Sequence, residues 1–132
     1  MICLADTGFL VAFLNRRDQY FSWAYAAAER LVHPALTCEP VLVEAAFHLK
    51  NSAAVLRLIE VGLIRLAFDL DKNRQEVAKL ATRYCDRNPD LADLCLIRMS
   101  ELYPAGTVLT VDQDFTSYRK NRSQRIPVFM PR

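Results

Sequence analysis

Short apolar runs alternate with longer segments of helical periodicity along the whole chain. Buried strands of a few residues and amphipathic helices of ten or more produce this kind of alternation. The short runs predict strands at 2–5, 36–38, 64–68 and 107–111, and an edge strand at 127–130, where Pro127 is tolerated. The longer segments predict helices at 8–15, 18–32, 40–50, 53–62, 70–86 and 91–103. Strands separated by helices indicate an α/β fold with a mostly parallel central sheet flanked by α-helices.

The ends of the predicted helices carry suitable capping residues. Thr7, Ser52 and Asp90 each precede a helical segment and are candidate N-caps. Pro40 falls in a first turn, where the missing N–H does not cost a hydrogen bond. These signals support the division of the chain into six helices.

Four carboxylates interrupt or terminate apolar runs in which an ordinary core would not tolerate them. Asp6 ends the run 2–5, and Asp112 closes the run 107–111. Glu44 and Asp93 each have apolar residues on both sides. An ionised carboxylate in apolar surroundings is costly unless a cation or hydrogen bonds compensate it. Four such residues spread over the chain predict an acidic pocket that holds a divalent metal.

The predicted fold allows these four acids to meet at one edge of the sheet. Ligands of open α/β sheets bind outside the carboxyl ends of the strands, where Asp6 and Asp112 fall. Glu44 lies in the helix after the second strand, and Asp93 lies in the first turn of the helix before the strand 107–111. Oxygen-only ligands select Mg²⁺ or Mn²⁺, and such a site can activate a water for attack on a phosphodiester.

Most of the acids also have a structural interpretation. Asp90 and Asp93 fit the N-cap and N3 positions of a helix, and Asp114 fits the cap of a short turn. Asp6 is an alternative cap for the first helix, and Asp112 an alternative turn residue. Glu44 has the weakest structural interpretation. One helical turn after Glu44, on the same face, is His48, which a solvated helix surface would also explain.

Composition limits the class of protein. With 132 residues and 52% hydrophobic content, the chain is expected to form one globular domain, 1–132. The four cysteines show no zinc spacing and are expected to be small buried hydrophobes in a reducing compartment. No signal peptide is indicated, and no apolar run approaches the roughly 20 residues of a membrane span, so we expect a cytoplasmic protein.

The net charge of +2 names no partner, but the bases are unevenly distributed. From residue 116 onwards there are five bases and no acid. Either this is a solvated terminal face, or Arg119, Lys120 and Arg122 contact phosphates beside the acidic pocket. Tyr118 would then either stack on a base or pack in the core. Arg16 and Arg17 are weaker candidates for the same phosphate contact.

Four segments together resemble the motifs of PIN-domain nucleases, especially VapC-like toxins. These segments are residues 6–12 (DTGFLVA), 37–45 (TCEPVLVEA), 90–93 (DLAD) and 109–115 (LTVDQDF). Their order and spacing cover almost the whole chain. The resemblance implies a PIN-like fold and Mg²⁺- or Mn²⁺-dependent cleavage of RNA. It also implies a homodimer and, for a toxin of a type II toxin–antitoxin pair, neutralisation by a small antitoxin protein.

The resemblance assigns roles to individual residues. It implies that Asp6, Glu44, Asp93 and Asp112 are the catalytic, metal-binding acids. Accessory roles near the site are implied for three further residues, namely Thr7, Asp90 and Asp114. Thr7 would help to position a metal-bound water or a phosphate.

This chain departs from the family pattern at two places. Leu94 follows Asp93 where many relatives carry a small residue, so its side chain either crowds the site or packs beneath it. The loop at 112–115 is short compared with some members. Neither departure removes a carboxylate.

The first functional alternative is a PIN-like module that binds RNA or protein with little or no cleavage. The complete set of four acids argues against it. The second alternative is a phosphoacceptor domain of receiver type. That class calls for paired acids after the first strand, whereas Asp6 is followed by Thr7 and Gly8, and for a Lys that is absent after the run 107–111.

Overall fold

A parallel five-stranded sheet forms the centre of the protein, in a computed structural model that describes residues 1–132. Its strands are β1 (Cys3–Ala5), β2 (Ala35–Thr37), β3 (Ile64–Leu66), β4 (Thr107–Leu109) and β7 (Val128–Phe129). Their order across the sheet is β3-β2-β1-β4-β7, and every neighbouring pair is parallel. Two further strands, β5 (Arg119–Lys120) and β6 (Gln124–Arg125), form a separate antiparallel hairpin.

Six helices flank this sheet, so the α/β fold expected from the sequence is confirmed. The helices are α1 (Thr7–Leu14), α2 (Phe21–Glu29), α3 (Glu39–Leu49), α4 (Ser52–Glu60), α5 (Arg74–Arg83) and α6 (Leu91–Leu102). A short 3₁₀ helix, Gln113–Thr116, follows β4. None of the helices combines the length and apolar character that crossing a bilayer requires.

Three helix N-termini show which polar side chains act as caps. The predicted cap at Asp90 is confirmed, because its carboxylate accepts the N–H of Asp93. The predicted caps Thr7 and Ser52 are wrong by one residue. Asp6 and Asn51 lie outside the helices, and their side-chain oxygens accept backbone N–H groups of α1 and α4.

Two helices are shorter than their apolar patterns predicted. α2 begins at Phe21 because the Asp18 carboxylate accepts the N–H of Tyr20 and closes a turn over the first predicted residues. α5 begins at Arg74 because the preceding segment folds into a turn in which the Asp69 carboxylate accepts the N–H of Lys72. Both are examples of an Asp side chain competing with helix formation.

The core lies on both faces of β1, the central strand, whose residues Leu4 and Ala5 are fully buried. Leu94 is also buried in this core, so its side chain packs beneath the site instead of crowding it. The expectation that all four cysteines are buried is wrong for Cys85, which is exposed because the turn after α5 projects into solvent. The other three cysteines belong to the core.

Candidate active site

An open cleft of about 500 Å³ lies at the edge of the sheet where β1 ends. It is lined by thirteen residues that come from α1, α3 and α6 and from the segments that follow β1 and β4, link α1 to α2 and precede α6. The acids in this lining include all four predicted metal ligands and one predicted accessory acid: Asp6, Glu44, Asp93, Asp112 and Asp90. The structure therefore brings together carboxylates that are up to 106 positions apart in sequence (112 − 6).

The tightest group of carboxylates is not the predicted quartet. Oxygens of Asp93, Asp112 and Asp114 all lie within 4.8 Å of one another, a spacing at which one cation could contact all three. Asp93 in this group is buried, Asp112 is half-buried and Asp114 is exposed. Asp114, which was predicted only as an accessory acid, thus lies close enough to Asp93 and Asp112 to share a cation with them.

Asp6 is held by two hydrogen bonds that fix both of its oxygens. Oδ1 accepts the backbone N–H of Thr7 at 2.7 Å, and Oδ2 accepts the hydroxyl of Thr110 at 2.6 Å. The same Thr110 oxygen accepts the backbone N–H of Asp112 at 2.9 Å. Thr110 therefore sets the relative positions of two acids, a role that we did not predict for it. The only signal for Thr110 in the sequence was a hydroxyl side chain two positions before Asp112. In the structure this side chain is fully buried.

Glu44 is oriented by Thr7. The Thr7 hydroxyl donates to Glu44 Oε2 at 2.9 Å, across the gap between α1 and α3. The contact engages one oxygen of the Glu44 carboxylate, and the side chain of Asp90 lies within hydrogen-bond reach of the same carboxylate. Thr7, which we expected to position a water or a phosphate, directly positions a carboxylate.

Asp93 is fixed from two sides. Its backbone N–H donates to Asp90 Oδ1 at 2.8 Å, and its Oδ2 accepts the hydroxyl of Tyr118 at 3.2 Å. Tyr118 is only 1% exposed, so it cannot stack on a base, and of its two predicted roles only packing in the core remains. A buried hydroxyl that donates to a carboxylate favours the ionised carboxylate.

Asp112 and Asp114 belong to the short 3₁₀ helix that follows β4. Asp112, and not Asp114, caps this helix, because its Oδ1 accepts the N–H of Asp114 at 2.8 Å. The exposed Asp114 carboxylate pairs with the guanidinium of Arg87 at 3.5 Å. Arg87 also lies 4.5 Å from the centre of the Tyr118 ring. Arg87 thus forms a salt bridge with one of these acids, a contact that the sequence did not indicate.

The electrostatics of the cleft favour a bound cation. Burial is the largest cause that raises the pKa of Asp6 to about 6 and the pKa of Asp93 to about 8. Burial is also the largest cause that raises the pKa of Glu44, and a hydrogen bond with Asp90 is the next largest. Neighbouring carboxylates add to the shift in each case, so the charges are not compensated by the protein itself. An all-oxygen donor set of this kind fits Mg²⁺ or Mn²⁺.

Gly8 determines how closely α1 approaches the loop that carries Asp112. A Cβ built on Gly8 would overlap the side chain of Val111. Only glycine allows the start of α1 and the loop after β4 to pack at this separation. The predicted D-T-G segment thus includes a residue required for the spacing of the acids.

The predicted RNA-contacting residues have different environments. Lys120 is only 6% exposed, and its Nζ donates to the carbonyl of Pro104 at 2.8 Å, so it is not available to a phosphate. Arg119 is half-buried and donates to the carbonyls of Thr116 and Tyr118. Arg122 is exposed at the tip of the β5–β6 hairpin. The predicted phosphate contact of Lys120 is therefore wrong, because its side chain is buried against the protein.

Additional polar residues form the remaining walls of the cleft. His48 lines it beside Glu44, which agrees with their shared face on α3, although its side chain is largely solvated. The turn between α1 and α2 contributes Asp18, Gln19 and Tyr20. Arg16 and Arg17 of the same turn are exposed but are not part of the lining.

Comparison with known proteins gives one family match. A sequence model of the PIN domain matches residues 3–121, which include every acid of the cleft. No protein in the curated set matches the chain. The match covers about nine-tenths of the chain, because 119 of the 132 residues fall within it.

Proposed function

Because this chain belongs to the PIN domain family, whose members are usually metal-using nucleases, we propose that it is a metal-dependent endoribonuclease. The reaction would be hydrolysis of RNA phosphodiester bonds. The observation that carries this proposal is the convergence of Asp6, Glu44, Asp93 and Asp112 in one open cleft.

The carboxylates retain oxygens with which they could bind a cation. One oxygen each of Asp93 and Asp112 has no donor within the protein, and Glu44 and Asp114 add two further carboxylates. Both oxygens of Asp6 accept hydrogen bonds, but each keeps a second lone pair. A bound Mg²⁺ or Mn²⁺ would neutralise the acids and lower the pKa of a water for in-line attack on phosphorus.

The protein's own contribution would be to hold these acids in position before substrate arrives. Thr110, Thr7 and Tyr118 each donate to one carboxylate and so restrict its rotation. Such hydrogen-bonded supports keep reacting groups oriented, and their loss typically lowers metal affinity or activity by about 10–100-fold.

The finer proposal is a toxin of a type II toxin–antitoxin pair that forms a homodimer and is blocked by a small antitoxin. Exposed apolar side chains beside the cleft support a protein partner. Phe47 is 78% exposed, and Val43 and Leu91 are exposed next to Glu44 along an apolar groove of about 440 Å³. Contiguous exposed apolar surface of this kind often marks a protein interface.

Cleavage of a mixed RNA pool tests the proposed activity. We expect cuts with Mg²⁺ or Mn²⁺, none with chelator, and none with Glu44→Gln, which removes the charge at nearly constant volume. The matched control is Glu39→Gln, since Glu39 is an exposed acid in the first turn of the same helix. RNA that is bound but never cut by the wild type would favour the binding module instead, and full activity of Glu44→Gln would exclude that residue from the mechanism.

A further inference from the structure

A second, smaller groove lies between α5, α6 and the β5–β6 hairpin, with a volume of about 200 Å³. Seven of its eight lining residues are polar or charged, and Leu80 is the exception. Its four bases are Lys79 and Arg83 from α5, Arg98 from α6 and Arg122 from the hairpin. Such a lining suits a charged ligand and not an apolar one.

The two acids of the groove do not neutralise all four bases. Glu76 pairs with Lys79 at 3.3 Å, and Glu101 pairs with Arg98 at 3.1 Å. No carboxylate lies within salt-bridge distance of Arg83 or Arg122. Two guanidinium groups thus share one groove without a counter-charge. Guanidinium groups recognise phosphate oxygens through paired hydrogen bonds.

The backbone holds Arg122 at the groove in an unfavourable conformation. Its φ of 72° lies in the left-handed region, as does that of Asn121 at 47°. Glycine would adopt these angles without the steric cost that a side chain brings. The hairpin is fixed to α6, because the N–H of Asn121 donates to Glu101 Oε2 at 2.7 Å. The presence of an arginine at a position that favours glycine points to a role for its side chain.

The groove connects with the acidic cleft through Arg87. This residue follows Arg83 by four positions and pairs with Asp114 at 3.5 Å. Arg87 lies in the turn that begins where α5 ends at Arg83. This turn therefore joins a base of the groove to the carboxylates of the cleft, where the scissile phosphate would be held.

We infer that this groove binds backbone phosphates of the same RNA strand that the acidic cleft cuts, through Arg83 and Arg122. The inference rests on the proposed nuclease function for the identity of its ligand. Contacts to phosphate would position the strand without reading its sequence. Only a substrate long enough to extend from the cleft into the groove would make these contacts.

Salt-dependent RNA binding by charge-removing variants tests the groove. The variants are Arg83→Ala, Arg122→Gly and the double variant, and the probe is a labelled single-stranded RNA of roughly a dozen nucleotides, in chelator. Each lost phosphate contact should reduce the slope of log affinity against log salt by about 0.7, and the double variant by about 1.4. Arg122→Gly should at the same time raise the melting temperature, because glycine accepts the positive φ.

Two control variants make the same chemical change elsewhere. Lys50→Gly removes a cation at a positive φ of 53°, and Arg57→Ala removes an exposed arginine from α4. Both controls should leave the salt slope close to that of the wild type. The inference would be overturned if the controls reduced the salt slope as much as the groove variants do. It would also be overturned if the double variant kept the wild-type slope.

Substrate length separates this inference from the proposed function. In the presence of Mn²⁺, the groove variants should cleave a long strand several-fold less efficiently through a higher KM, and a dinucleotide no differently from the wild type. Equal loss on both substrates would show that the arginines act on the cleft and would refute the groove. A wild type that never cleaves, but whose salt slope depends on Arg83 and Arg122, would refute the nuclease and retain the groove as an RNA site.

Discussion

Replacement of Asp6 by Asn tests whether the cleft carboxylates destabilise the protein when no metal is bound. Burial raises the pKa of Asp6 to about 6, against about 3.9 in an unfolded chain. The folded protein therefore binds this proton more tightly than the unfolded chain does. The resulting stabilisation is complete below about pH 4 and is lost as the pH rises through about 6.

The magnitude follows from the difference between the two pKa values. About two pH units, at about 1.4 kcal/mol each, correspond to about 3 kcal/mol of stability lost by the wild type at pH 8. Asn remains neutral and avoids this loss. Asn also accepts a weaker hydrogen bond from Thr110, and this costs the variant about 1 kcal/mol of stability. We therefore expect Asp6→Asn to be about 2 kcal/mol more stable than the wild type at pH 8 in chelator.

Urea unfolding between about pH 4 and pH 8, in chelator and in saturating Mn²⁺, measures this difference. The advantage of the variant should vanish near pH 4 and reverse with Mn²⁺, because the metal stabilises the protein whose ligands are intact. The matched control is Asp86→Asn, at an exposed acid outside the cleft, and its stability should stay close to that of the wild type. A variant that is no more stable than the wild type at pH 8 in chelator would refute the reasoning.

Three further substitutions have distinct expected effects. Tyr118→Phe removes a hydrogen bond that lowers the pKa of Asp93, so the pH of half-maximal activity should rise and Mn²⁺ affinity should fall about tenfold in titrations. Gly8→Ala should displace Val111 and the adjoining loop, with a loss of about 1–3 kcal/mol in urea unfolding and about a hundredfold in cleavage rate. Lys120→Ala should lower stability by about 1.5–3 kcal/mol, because it removes the charge-assisted hydrogen bond from Nζ to the carbonyl of Pro104, yet leave the salt slope of RNA binding unchanged.

Matched variants separate these effects from general disruption. Tyr103→Phe also removes a tyrosine hydroxyl, but this hydroxyl donates to the backbone carbonyl of Ala67 and not to a carboxylate. The pH profile of its activity should therefore not shift. Gly62→Ala meets no atom within 4 Å but has a φ of 80°, so it should cost about 1 kcal/mol with activity intact. Wild-type activity in Gly8→Ala, or a reduced salt slope in Lys120→Ala, would contradict the packing described for these residues.

The acids of the site could be predicted because their signal is local. A carboxylate at the end of a short apolar run, or within one, is visible in the sequence, as at Asp6 and Glu44. The hydrogen bonds that orient these acids were not predictable from the same signal. Thr110 and Tyr118 look like ordinary strand and tail residues, and their roles depend on which way each side chain points after the elements pack.

The segment after residue 116 shows why a charge pattern alone could not predict which bases are exposed. A run of bases indicates solvent exposure, but Lys120 reaches a carbonyl at the end of α6 and is enclosed there. The hairpin around it was not predicted because its strands are two residues long and lack the alternation of a half-buried strand. Its turn, Asn121–Arg122, also lacks the glycine that usually marks such turns.

The hydrogen bond between Thr110 and Asp6 has a consequence for biosynthesis. The two residues are 104 positions apart, and β1 lies between β2 and β4 in the sheet. A chain emerging from the ribosome exposes Asp6 early, but it cannot fix this carboxylate until the segment around Thr110 has followed. Long-range contacts of this kind form late. The acidic cleft is therefore incomplete during most of translation, and its carboxylates converge only after β4 has paired with β1.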